Sequence, residues 1–140
     1  MIDVEKVSKL IDKAKVSIIS SVDGEGFPNT KAMLKPRIRN GLREFYFSTN
    51  TSSNRVSQYE KNSKACIYFY YKGKIKYEGV MLKGIMEVLK DQEIKDKVWK
   101  KYDYLFYRKG KTDPDYCVLK FTAESGRYYC DLETESFDIE

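Results

Sequence analysis

The stretch Glu44-Phe45-Tyr46-Phe47-Ser48-Thr49-Asn50-Thr51-Ser52-Ser53-Asn54-Arg55-Val56-Ser57-Gln58 decides how the chain is read. It has three parts. Glu44 to Phe47 is rich in aromatics, which suits a strand. Ser48 to Ser53 carries only small hydroxyl and amide side chains, with no bulky group to keep a ligand away. From Ser53 onward, Val56 and Tyr59 recur at helical spacing, so a helix is expected with Ser52 or Ser53 as its N-cap. A strand that passes through a polar loop into a helix start suits an anion, because the first helical N–H groups are unpaired and the dipole end is positive. Hydroxyls on Ser48, Thr49 and Ser53 add donors, and Arg55 adds a charge-assisted contact. Taken alone, the stretch reads first as a capped surface helix after a strand, because Ser/Thr caps are common, and the rest of the chain must decide.

Outward from it, strand signals dominate. Before it, Asp3 to Lys15 places Val4, Val7, Leu10, Ile11 and Ala14 on one face of an amphipathic helix, with Asp3 as N-cap. Val16 to Val22 is a β-branched strand, and Asp23-Gly24-Glu25-Gly26 is the turn after it. Pro28 opens the return strand to Leu34, Pro36 closes it, and Arg39-Asn40-Gly41 is a second tight turn. After the helix, Ala65 to Tyr71 and Lys76 to Leu89 are strands joined by a turn at Lys72-Gly73-Lys74. Gly79 and Gly84 interrupt the second of these, which signals a bulge, a bend or a close approach. Asp91 to Lys101 reads as a helix capped by Asp91, with Ile94, Val98 and Tyr102 on one face and Trp99 packed in the core beside them. Cys117 to Ala123 is a strand, Glu124-Ser125-Gly126 a turn, and Arg127 to Leu132 a further strand, with Ser136 to Ile139 as an edge. The whole is mainly β, a six- to seven-stranded antiparallel barrel with peripheral helices, in one domain spanning 1–140.

Composition narrows the chemistry. Hydrophobic residues are 41% and charged residues 34%, a globular balance. The three cysteines, Cys66, Cys117 and Cys130, are too few and too far apart for a zinc site and read as structural thiols. Histidine is absent, which removes Ser-His-Asp and Cys-His catalysis. Activity then rests on carboxylates, Lys, Tyr or a cofactor that brings its own redox chemistry. The start lacks a signal peptide's apolar run and no segment approaches membrane-helix length, so the expected setting is cytoplasmic with no membrane partner. A net charge of +5 spread among acids does not call for nucleic acid.

The opening stretch, placed after Pro28-Asn29-Thr30-Lys31-Ala32-Met33, resembles the FMN-binding split-barrel family, the pyridoxamine 5'-phosphate oxidase-like proteins. The resemblance runs nearly end to end, and Asp113-Pro114-Asp115-Tyr116-Cys117-Val118-Leu119-Lys120-Phe121 is similar to small bacterial members of the general-stress branch. It implies a split barrel, a homodimer with FMN in interface clefts, and flavin-dependent oxidoreduction of an unassigned substrate. Lys31, Ala32, Met33 and Leu34 would run along the flavin ring and ribityl chain, and Ser48 and Thr49 would meet the ribityl–phosphate part. Ser53, Asn54 and Arg55 would hold the phosphate with Lys31 or Lys35, and Gly79 would approach the flavin from the partner. Tyr116 and Tyr128 are further candidate ring neighbours, and no acid or base is assigned. The resemblance stops short of vitamin B6 oxidation: the C-terminal Arg-x-His of true pyridoxamine-phosphate oxidases is missing, and the tail is acidic. Carriage of deazaflavin or haem, or of flavin without turnover, is the alternative, with a nucleic-acid-binding barrel behind it.

Overall fold

The computed structural model describes residues 1–140. Asp3 caps the first helix, α1 (Val4–Lys13), its carboxylate accepting the Lys6 N–H at 3.2 Å. Val7, Leu10 and Ile11 face inward from α1. The expected hairpin follows, β1 (Val16–Val22) and β2 (Pro28–Leu34), in the register Val16↔Leu34 to Val22↔Pro28. A short β3 (Ile38–Asn40) precedes β4 (Glu44–Asn50), and α2 (Asn54–Lys61) leaves the end of β4. Next come β5 (Lys64–Lys72), β6 (Tyr77–Leu89) and α3 (Gln92–Val98), then β7 (Tyr116–Cys130) and β8 (Glu133–Asp138).

All strand pairs are antiparallel, in the order β2-β1-β5-β6-β7-β4-β3, with β8 also on β7. The expected fold class holds, with eight strands instead of six or seven. Inward residues alternate along β1, β4 and β5 and meet in one core, in which Phe45 packs against both Phe69 and Phe121. A second cluster of Val98, Tyr107, Tyr116 and Val118 packs with Trp99 at one end.

β3 and the C-terminal edge strand β8 raise the count, and two expectations about strand bounds are corrected. The chain around Arg39 carries three residues of strand before its turn, pairing Ile38 with Tyr46. The larger correction is at Glu124-Ser125-Gly126, which is no turn: β7 runs unbroken through it. Lys83 pairs with Ser125 and Gly84 with Ala123, so Glu124 is the extra residue of a bulge. Gly126 serves close packing, since a Cβ there would meet Leu82 Cδ2 at 2.8 Å. The true turn is Asp131-Leu132, both at positive φ.

The third helix also stops sooner than its pattern suggests, at Val98. Asp103 explains it: the carboxylate accepts the Lys100 N–H at 2.9 Å and draws the chain into a 3-10 turn, Lys101–Leu105. Tyr102 is therefore exposed instead of lying on the helix's apolar face, while Trp99 packs against the aromatic cluster as expected.

Candidate functional site

The sheet does not close. The outer edge of β2 has no strand partner, and a cleft of about 430 Å³ lies between β2 and β4. Lys31, Ala32, Met33, Leu34 and Lys35 line it from the β2 side. Phe47, Ser48, Thr49 and Asn50 line it from β4, and Arg55 from α2. Its far wall is Arg37, Asp103, Phe106 and Tyr107. A larger hollow of about 500 Å³ sits on the outer face around Cys66, Lys83 and the Gly84 bulge. It holds none of the buried polar atoms that lack partners, so the smaller cleft is the candidate site.

The loop between β4 and α2 is held from both sides. Thr51 N–H donates to the Asp115 carbonyl at 2.6 Å, and Ser52 N–H to Asp115 Oδ1 at 2.8 Å. On the other side, Gln58 Oε1 accepts Ser21 Oγ at 2.5 Å and Asn29 Nδ2 at 3.0 Å. These bonds fix the start of α2 against β1 and β2, and so fix Arg55 across from Lys31. Arg55 Nη2 donates to Thr49 Oγ1 at 3.1 Å, which aims the guanidinium along the cleft.

Two atoms there are left unsatisfied. Ser53 is the N-cap residue by backbone geometry, with ψ 149°, but its hydroxyl makes no capping bond. Ser53 Oγ and Arg55 Nε are both buried and both without a partner. Buried polar groups are paired in the great majority of cases, so two orphans beside one helix start fit an acceptor supplied from outside the chain. The cleft's charge agrees. Lys31, Lys35, Arg37 and Arg55 line it, and the one lining carboxylate, Asp103, is taken by Arg37. Donors of this kind suit a phosphate.

The Arg37–Asp103 pair is buried, the side chains 6% and 0% exposed. It is bidentate, with Nη1 to Oδ2 at 2.8 Å and Nη2 to Oδ1 at 2.7 Å. Hydrogen bonding to Asp103 raises the Arg37 pKa against the opposing effect of burial. Burial pushes the Asp103 carboxyl up, but the Arg37 bonds and the Lys100 N–H outweigh it and leave the group below its ordinary value. The pair ties the Lys101–Leu105 turn to the segment after β2. Phe106 and Tyr107 follow that turn and form the wall.

The structure thus brings together Lys31, Ala32, Met33, Leu34, Ser48, Thr49 and Arg55 in one cleft, while Ser53 stands at the start of α2 and is not part of the lining. Asn54 is exposed and borders a different hollow with Ser57 and Lys61. Gly79 is on β6, away from the cleft, where a Cβ would collide with the Tyr68 hydroxyl and stand 2.8 Å from its Cζ. Its missing side chain has a local reason. Tyr116 lies in the second core cluster, donating to the Lys95 carbonyl at 2.8 Å, and Tyr128 donates to Glu78 Oε2 at 2.6 Å. Neither lines the cleft. Sequence reading missed Arg37, Asp103, Phe106 and Tyr107. Phe106 and Tyr107 stood in a visible aromatic run, but nothing local tied Arg37 to an acid 66 residues away.

Comparison with known proteins agrees with this architecture. The family model described as "Pyridoxamine 5'-phosphate oxidase like" matches residues 3–136. A Clostridium acetobutylicum protein related to general stress protein 26 of B. subtilis, of the pyridoxinephosphate oxidase family, is 37% identical with a TM-score of 0.86. That match covers 99% of this chain and 97% of the other. General Stress Protein 26 of Bacillus anthracis shares the fold at 18% identity, with a TM-score of 0.77 and 97% and 98% of the two chains covered. A heme binding protein from Mycobacterium smegmatis shares it at 12% identity, with a TM-score of 0.76, over 96% of this chain and 57% of the other. No curated protein matches the sequence. A cleft left by an unclosed antiparallel sheet, a strand-to-helix loop beside it and the match over residues 3–136 lead to one assignment: the chain belongs to the pyridoxamine 5'-phosphate oxidase-like family.

Proposed function

We propose that the protein is an FMN-binding oxidoreductase that works as a homodimer in the cytoplasm and is not a vitamin B6 oxidase. The observation that carries this reading is the pair of buried, unpaired donors at the start of α2, Ser53 Oγ and the Nε of Arg55, the second of which belongs to a side chain lining the cationic cleft. Arg55 and Ser53 would hold the phosphate, with Lys31 as a second cation. Ser48 and Thr49 would meet the ribityl hydroxyls, and Ala32, Met33 and Leu34 would lie along the ring. Bound FMN supplies hydride and electron transfer, and the chain supplies binding, orientation and exclusion of water. Arg55 already has its guanidinium aimed by Thr49, so little ordering is left to do on binding.

The dimer reading rests on the outer face of the sheet. Tyr68, Tyr70, Tyr77 and Tyr129 form one continuous aromatic set there, with ring centroids 5.9 to 6.4 Å apart. Tyr70 and Tyr77 are 39% and 41% exposed. Ile18 pairs with both Tyr68 and Ala32, so this face runs on into the strand that lines the cleft. A second copy seated on it would meet the β2 side of the cleft. Three free cysteines fit a reducing compartment.

The test is a visible spectrum of the purified protein, then FMN titration with size-exclusion chromatography. Near one FMN per chain in a dimer-sized peak supports the reading. A protein that neither carries nor takes up FMN refutes it, and a Soret band would move the assignment to haem.

A further inference from the structure

The positive charge of the chain is not evenly spread. Lys100 to Lys111 holds five cations, Lys100, Lys101, Arg108, Lys109 and Lys111, against one carboxylate, Asp103. That is a net +4 in twelve residues, out of +5 for the whole chain. Asp103 is buried against Arg37 and offers nothing to solvent, whereas all five cations are exposed. The nearest following acids, Asp113 and Asp115, accept backbone N–H groups of Lys109, Asp115 and Ser52. The same segment exposes apolar surface: Tyr104, Leu105 and Phe106 are 56%, 82% and 66% exposed. Phe106 also lines the cleft. Behind it, Tyr107, Tyr116 and Trp99 pack at centroid distances of 5.0 to 6.2 Å, a rigid backing for an exposed ring.

An exposed aromatic on a rigid backing stacks on planar ligands, and a cluster of exposed cations attracts phosphate. We propose that this segment docks a second ligand, an anionic nucleotide, its planar base laid on Phe106 and its phosphates drawn by the cations between Lys100 and Lys111, beside the cleft that takes FMN. The inference rests on the FMN reading only for what fills the cleft. A lipid surface would use the same cations and apolar tips. The position of Phe106 in the cleft wall favours a small ligand that reaches inward over a membrane that stays outside.

The chain's one tryptophan gives a readout independent of turnover. Trp99 lies with its ring centroid 5.1 Å from Tyr104 and 6.2 Å from Tyr107. NADP+, which transfers no hydride to oxidised flavin, is titrated into the FMN-loaded protein while Trp99 emission is followed. Saturable binding is expected, weakened about tenfold by R108E/K109E and about tenfold by F106A. The control K6E/K74E makes the same change in net charge at exposed sites elsewhere and is expected to stay within about twofold. Inorganic pyrophosphate and nicotinamide riboside, the two halves of the recognition, should each bind at least about tenfold more weakly. Equal weakening by R108E/K109E and K6E/K74E overturns the proposal, and so does pyrophosphate binding as tightly as NADP+. Absence of saturable NADP+ binding also overturns it, and binding to phosphatidylglycerol vesicles would then give the segment to lipid. If the wild-type protein takes no FMN, the FMN reading fails on its own titration, and the NADP+ isotherm still decides this one.

Discussion

Replacing Asp103 by Asn should destabilise the protein severely. The carboxylate receives three hydrogen bonds, two from Arg37 at 2.7 and 2.8 Å and one from the Lys100 N–H at 2.9 Å. Asparagine keeps the volume but sets an amide donor against a guanidinium donor. It also leaves the Arg37 charge, 6% exposed, without an anion. Breaking a buried pair by removing one partner costs about 3–5 kcal/mol. For a chain of this length that is a fall in Tm of about 10–15 °C and a large share of a total stability of about 5–15 kcal/mol. The pH dependence has a definite sign. Asp103 is held below its ordinary value, so its contribution is complete above the unfolded pKa of about 3.9 and is lost as pH falls through the folded value. The gap between wild type and D103N should therefore close in acid. Urea unfolding of wild type, D103N and R37M/D103L at pH 7 and pH 3 tests this. The double variant removes both charges and should lie within about 2 kcal/mol of wild type. A D103N loss under about 1 kcal/mol, or a double variant as unstable as the sum of its singles, would refute the reasoning.

R55A should weaken FMN binding about 10- to 100-fold, the value of a charge-assisted hydrogen bond, while riboflavin, which has no phosphate, changes little; equal losses for both would remove Arg55 from the phosphate. G79A should lose about 1–3 kcal/mol in urea unfolding because its Cβ meets the Tyr68 ring, and G79A/Y68A should recover part of it; no recovery would mean that Tyr68 is not what requires the glycine. Y70E/Y77E should run as a monomer in size-exclusion chromatography with its far-UV spectrum kept, and a persistent dimer-sized peak would move the interface off the aromatic face.

Local chemistry was legible wherever one segment carried its own signal. The Asp3 cap and the Asp-Gly hairpin stand where the side chains demand, and α2 begins after Ser53. But β4 runs on through Ser48, Thr49 and Asn50, which read as loop and are held in strand by pairing with β7. Signals with two physical meanings were not. Glu124-Ser125-Gly126 has the composition of a turn, but a bulge and a close backbone approach want the same residues, and only the partner strand decides between them. Gly79 carries a second meaning of this kind: the sequence offers a gap for a partner's flavin, and the fold adds a gap for Tyr68. Half of the cleft was readable because β2, β4 and α2 each announce it. The wall was not, because Arg37 and Asp103 define each other across the fold and neither is unusual where it stands.

Where the site's chemistry would come from follows from what its side chains can do. Tyr107 is the one tyrosine that lines the cleft. Burial first, then the neighbouring Cys117 and Asp103, push its hydroxyl up to about 12. At neutral pH it stays protonated, a donor and never a base. Asp103 is locked as an anion against Arg37, so it neither gives nor takes a proton there. Lys31, Lys35 and Arg55 supply the basic side chains of the rest of the lining. With no histidine in the chain, the lining holds donors and positive charge and nothing that shuttles protons near pH 7. Such a surface binds anions and steadies negative charge that grows on a bound group. That is the part the proposed reading asks of the chain, with the bound cofactor bringing its own electrons.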